Sequence, residues 1–309
     1  MVQVFSDVLA GIKAKGNIEA FDVLNLRATT YQDGSASLDE AQAIMDLHKA
    51  CTVFPQFWLD FYFESVVDFV VRQQDPMGYV DDYKANWLIG NISVGGRVNT
   101  PYDLELITRV IETADEAPSS LRNLALSEIE QTINSGQGAT RDNAGKLSSH
   151  INTSEVAYLR RLMFSISSNG AATISDDEAE TLFRLKNICL EGENANDWQD
   201  FFAKAIGNHL MAHNFHTKIS AEKAQERETF LENTHTNIGS FLSRAFVGAK
   251  SPLGSANRNE IWGENHGADD IAANEKIDAV ENSWLQRQIT SDGITDKFEQ
   301  AVLDFIKKP

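Results

Sequence analysis

Residues 37–51, SLDEAQAIMDLHKAC, return at residues 175–189 as SDDEAETLFRLKNIC. Asp, Glu, Ala, Leu and Cys recur at matching places without a gap, so the chain is constrained to build one piece of structure twice. Each copy opens with S-x-x-E, Ser37 with Glu40 and Ser175 with Glu178. In that spacing a Ser hydroxyl caps one free helix N–H while the Glu reaches back to another. An amphipathic helix is predicted after each Ser. The echo continues outward, because Trp58-Leu59-Asp60-Phe61 follows the first copy and Trp198-Gln199-Asp200-Phe201 the second. An internal duplication is the reading these matches support.

In chain order, Ile18, Phe21, Leu24 and Leu26 give a helix that enters the turn Gln32-Asp33-Gly34 and leaves through the capped helix at Ser37. Pro55 opens an aromatic helix that runs to the break at Asp75-Pro76-Met77-Gly78, and Asp81 caps the exit helix through Lys84, Ala85, Trp87 and Leu88. Thr100-Pro101 with Asp103, and then Pro118-Ser119, start a third pair. Residues 134–149, NSGQGATRDNAGKLSS, have no apolar period and read as a linker. The same order of events follows, with Asn152 and Glu155 as a cap, a turn at Gly170, the copied helix, an aromatic helix through Trp198, and a closing pair through Phe298, Val302 and Phe305. The expected organisation is an N-terminal half at 1–135, a linker at 136–150 and a C-terminal half at 151–309, each half of three helix pairs. A long irregular loop is expected at 247–274. Aromatics Phe57, Trp58, Phe61, Tyr62, Trp198, Phe201 and Phe202 are expected in the core.

Composition narrows the partners. A formal net charge of −18 opposes phosphate backbones and anionic lipid, so neither nucleic acid nor a membrane is an expected partner. Residues 54–71 are apolar, but Asp60, Glu64 and Asp68 interrupt them at four-residue spacing and exclude a spanning helix. The start of the chain lacks a basic segment followed by a sustained apolar run, which reads as no signal peptide. Cys51 and Cys189 sit at equivalent helix ends, where small core thiols and a cytoplasmic setting are expected.

At the turns, a small or Gly residue, an aliphatic or Ala, and then a Ser, Thr or Asp precede the exit helix. That pattern resembles the second half of an EF-hand loop, and the resemblance covers most of the chain. It implies an all-α fold of two related halves built from helix-loop-helix pairs resembling degenerate EF-hands. It also implies Ca²⁺ ligands at loop positions one, three, five, seven, nine and twelve. With Gly34 at the sixth position, Thr29, Tyr31, Asp33, Ser37 and Glu40 fall at one, three, five, nine and twelve; in the copy Ser167, Asn169, Ala171, Ser175 and Glu178 do. Asp33, Glu40 and Glu178 are therefore the candidate Ca²⁺ ligands. No loop brings three carboxylates into register, and the loop ending at Lys84 places a cation at the twelfth position. Capping alone accounts for Glu40 and Glu178.

His209, His213 and His216 form a second constellation, two of them four residues apart on one helix, a spacing that chelates Zn²⁺ or Ni²⁺. Leu210 stands where the H-E-x-x-H signature has its base. Phosphate-loop, nucleophile-elbow and dinucleotide motifs are not found, so no catalytic residue is nominated. The expected function is a non-enzymatic interaction or regulatory protein, whose partner is a protein, basic or carrying an amphipathic helix. The alternatives are a calcium buffer or sensor with weak sites and a metal-binding protein using the His-rich helix end.

Overall fold

The computed structural model describes residues 2–73, 77–98, 100–141, 149–165, 174–212, 279–289 and 295–307. Within them, twelve α-helices, one π-helical turn and a single two-stranded hairpin form the regular structure, so the fold is all-α. Two compact units divide the chain, residues 1–128 and 129–309. The predicted 247–274 loop lies outside the described residues. Among the described residues no helix is long and apolar enough to cross a membrane.

The first unit begins with α1 (Val2–Lys15), which buries Phe5, Leu9 and Ile12 at helical spacing. It stops at Gly16, whose φ of 72° suits a residue without Cβ and lets its N–H return to the Ile12 carbonyl. Helix α2 (Ala20–Thr30) starts with a capping box of Glu19 and Asp22. Lys15 binds the same Asp22 carboxylate at 2.7 and 2.8 Å. Helix α3 (Leu38–Ala50) carries the expected Ser37–Glu40 box.

Helix α4 (Gln56–Val67) follows Pro55, its N-cap. Its Trp58, Phe61, Tyr62 and Val66 are wholly buried, while Phe57, expected inside, is exposed because it falls on the outer side with Gln56 and Asp60. The helix then loosens into a π-turn, Asp68–Arg72. Helix α5 (Asp82–Ile92) is capped by Asp81. It ends in a hairpin, β1 (Ser93–Val94) and β2 (Arg97–Val98), turning through Gly95 and Gly96 at φ 59° and 76°. Positive φ at both central residues is the requirement of a tight hairpin turn, and only Gly meets it without strain. Helix α6 (Pro101–Thr113) has Thr100 as N-cap and Pro101 at its first position, and α7 (Ser119–Ser135) follows. Arg97 and the Val98 N–H both reach the wholly buried Glu128 carboxylate, tying the hairpin to α7.

The second unit holds α8 (Thr153–Met163), α9 (Asp176–Cys189), α10 (Trp198–Ala212), α11 (Ala279–Ile289) and α12 (Lys297–Lys307). Asn152–Glu155 and Ser175–Glu178 form the expected capping boxes of α8 and α9. Within the segment read as a linker, Arg141 is anchored: its guanidinium meets the buried Glu155 carboxylate at 2.8 and 3.1 Å and also donates to the His150 carbonyl. Trp198, Phe201, Phe202 and Phe298 make one aromatic core. A Cβ at Gly207 would fall 2.0 Å from the Phe305 ring, so this glycine is what lets α10 and α12 close on each other. Cys189 is buried, as expected of a core thiol, but Cys51 at the end of α3 is only half-buried; both are free.

Candidate functional site

The loop carboxylates that resemble calcium ligands are already engaged by their own neighbours. Glu40 accepts from the Ser37 N–H and hydroxyl, both at 2.8 Å, and Glu178 accepts from the Ser175 N–H at 2.8 Å and hydroxyl at 3.0 Å. Asp33, on the exposed turn, accepts the Ser35 N–H at 3.3 Å. Among the described residues, no group of three or more His, Cys, Asp or Glu is gathered for a metal ion.

At Lys84 the chain supplies a cation of its own. The residue is 4% exposed, and its ammonium donates to the Phe69 carbonyl at 2.6 Å and the Val70 carbonyl at 3.4 Å. Both carbonyls belong to the π-turn, where lengthened backbone pairing frees acceptors. Burial lowers the Lys84 pKa, and the Asp81 charge opposes that shift. The far side of the same loop is held by backbone: Gly78 receives Asp115 N–H at 2.8 Å, and Val80 donates to Glu116 O at 2.9 Å. Tyr79 and Glu116 form a parallel bridge.

Of the histidine constellation, only His209 falls within the described residues; His213 and His216 lie outside them. His209 is buried. Its Nδ1 is 2.9 Å from the Ile174 carbonyl, which can only accept, so Nδ1 carries a proton there. Nε2 stands 3.8 Å from Asp176 Oδ1, and the ring rests on Trp284 at 4.7 Å.

Two polar clusters inside the units were not nominated from the sequence. In the first, His48 is stacked between Phe54 at 4.2 Å and Tyr62 at 4.0 Å, with Tyr102 edge-on at 5.5 Å. Its Nδ1 accepts the Trp58 indole N–H at 3.1 Å, and since an indole can only donate, Nδ1 is unprotonated. Burial pushes this imidazole down to about 4. Beside it, Asp103 accepts the Thr100 hydroxyl at 2.8 Å, and burial pushes its carboxyl up to about 6 despite that bond and the Lys49 charge. Burial, then the Asp103 charge, raise the Tyr62 phenol.

In the second cluster, Lys186 stands where His48 stands in the repeated segment. It meets Asp296 and Glu299, each at 2.6 Å. Burial alone would lower the Lys186 pKa; the hydrogen bonds to Asp296 and Glu299 outweigh it and hold the ammonium above its usual value. Thr100 with Asp103, and Asp296 with Glu299, are the cap and third-residue acid of the helix packed on each cluster. Those spacings, T-x-x-D and D-x-x-E, were the available signal.

No protein-family model matches the chain, and no curated protein or solved structure matches it. The reading of the sites therefore rests on their geometry. An open groove of about 730 Å³ lies against Ser149, His150, Asn187, Ile188, Glu191 and Glu193. The clusters themselves hold protons and charges in fixed places: a neutral His, a carboxyl poised near 6, a paired Lys. The Thr100 hydroxyl donates to Asp103 and accepts the Asp103 N–H in return, the reciprocal arrangement of a helix cap.

Proposed function

We propose that this chain is a non-enzymatic cytoplasmic interaction or regulatory protein, an internal duplication of helix pairs resembling degenerate EF-hands that work without an ion. The observation that carries the reading is the Lys84 ammonium on the Phe69 and Val70 carbonyls, because an intramolecular cation at the twelfth loop position does the tying that Ca²⁺ does in an EF-hand loop. The duplication is supported by matched contacts in the two units. Arg27 lies over the Phe61 ring at 5.4 Å and Arg160 over the Phe201 ring at 5.5 Å. The carboxylates these arginines meet differ in place, Glu64 lying after Trp58 and Asp197 just before Trp198. Lys15 binds the third-residue acid of α2, and Arg141 that of α8.

The reading is tested by calorimetric titration of chelator-stripped protein with Ca²⁺ and, separately, Zn²⁺, with thermal unfolding under each condition. The expected result is no saturable heat up to millimolar Ca²⁺ and an unchanged melting temperature. Saturable Ca²⁺ heat, lost in Asp33→Ala or Glu40→Ala with a raised melting temperature in the parent, replaces it with a calcium buffer or sensor, since a ligand that prefers the native state stabilises it. A Zn²⁺ response lost in His213→Ala replaces it with metal binding at the His-rich helix end.

A further inference from the structure

A helix on the surface of a domain turns apolar residues inward and polar ones outward. Helix α2 breaks that rule. Its exposed positions are Ala20, Phe21, Leu24 and Ala28, with Phe21 69% and Leu24 64% exposed. At the corresponding places α8 carries Thr153, Ser154, Ala157 and Arg161, a pattern ordinary for a solvated face. Aligning Arg27 with Arg160, each over the aromatic ring of its partner helix, fixes this correspondence. The two helices do the same work inside their units, so the packing of the unit does not demand an apolar outer face on α2.

Beside this face runs α4, packed on α2, with Gln56, Asp60 and Glu64 turned outward. The border between the two helices is the Arg27–Glu64 pair, two parallel bonds of 2.6 Å. Among the described residues Asp60 accepts a neutral amide, from Gln56 at 2.8 Å, and meets no cation. Glu19 at the start of α2 is already paired with Lys15 at 3.3 Å.

We infer that the outer face of α2, with the acidic edge of α4, is a docking surface for a basic amphipathic helix of another protein. This rests on the interaction reading above and names its partner. An apolar stripe at i, i+3 and i+4 on the incoming helix seats on Phe21 and Leu24, while Lys and Arg beside the stripe face Asp60 and Glu64. A second copy of this chain is the wrong occupant on two grounds. Each copy carries −18, so like charge opposes approach. Two large side chains with two alanines also fall well short of the ~800 Å² per partner of a stable interface, an area that a cationic helix adds to by reaching the acidic edge.

The test uses the full chain, in chelator, with a labelled peptide of about 18 residues, five helical turns, patterned in Leu and Lys. Two controls accompany it, the same pattern with Glu for Lys and a Lys/Ser peptide without Leu. Fluorescence anisotropy reads binding, sedimentation reads self-association, and thermal unfolding checks each variant. The expected result is saturable one-to-one binding of the Leu/Lys peptide alone, weakened about tenfold or more in Phe21→Ser/Leu24→Ser, the loss expected of central anchors. In Asp60→Asn/Glu64→Gln binding weakens less and loses part of its salt dependence. Equal affinity in the Phe21→Ser/Leu24→Ser protein overturns the proposal, as does binding of the Lys/Ser peptide as tight as that of the Leu/Lys peptide. Dimerisation abolished by the same substitutions assigns the face to a second copy and overturns it too. The calcium titration is independent of all these outcomes, so failure of the docking surface and failure of the ion-free reading are told apart.

Discussion

Lys186 and Glu299 lie 113 residues apart in the chain and meet at 2.6 Å, each side chain almost wholly withdrawn from water. A buried charge pair of this kind is stabilising only while both partners remain, because either one alone is an uncompensated charge in a poor solvent.

Lys186→Met is therefore expected to destabilise the second unit by about 3–5 kcal/mol, and Lys186→Met/Glu299→Met to recover most of that loss. Denaturant unfolding of the four proteins of the cycle measures it. Additive single effects would show that Lys186 and Glu299 are not coupled.

The first unit places His48 and Asp103 at the equivalent position, and their proton linkages oppose each other. Asp103 titrates near 6 in the fold against an ordinary 3.8, so between those values the folded state binds more proton and stability falls as pH rises. His48 titrates near 4 against 6.5, so there the unfolded state binds more proton and stability rises with pH. Each slope reaches at most about 1.4 kcal/mol per pH unit. Over pH 4–6, Asp103→Asn is expected to make stability rise more steeply than in the parent, His48→Gln to make it fall, and the double variant to restore the parent slope. Unfolding at stepped pH checks this, and four parallel curves would sink it.

Lys84→Met keeps the stem of the side chain and removes its three donors. The Phe69 carbonyl is then left without the ammonium in a buried place, a loss of about 1–3 kcal/mol. Hydrogen exchange of the 68–82 segment is expected to accelerate before the rest of the unit, while protection unchanged from the parent would remove Lys84 from the role of tether.

Gly78 has φ 89°, and a Cβ there would fall 2.1 Å from the Asp115 carboxylate. Gly78→Ala is expected to lower the melting temperature, with at least the ~1–2 kcal/mol of the left-handed conformation and the clash in addition. Asp115→Ala should relieve the clash and leave the conformational part. A double variant no better than Gly78→Ala would show that the clash is absent.

The helices and their caps were readable because their causes are local. Ser37 with Glu40, Asn152 with Glu155, and Thr100 with Asp103 sit three residues apart, and all cap as expected. The π-turn is not legible, since Asp68–Arg72 continues an apolar helix without a break in pattern and the Lys84 ammonium that meets its carbonyls comes from across the loop. The hairpin was missed although Gly95-Gly96 announced it, because two-residue strands are too short to show alternation. For the clusters the obstacle was distance, as nothing near His48 or Lys186 names the third helix that meets each. Phe57 failed for a different reason: aromatic content marks a helix as buried without saying which side is.

The tether at Lys84 also bears on control. A bound ion has a concentration, and its loop empties when that concentration drops. An ammonium joined to the loop by its own backbone has no such empty state to populate, and neither dilution nor a chelator can remove it. On the ion-free reading proposed above, the angle between α4 and α5 is settled once, at folding. That reading leaves any signal through this unit to arrive by another route.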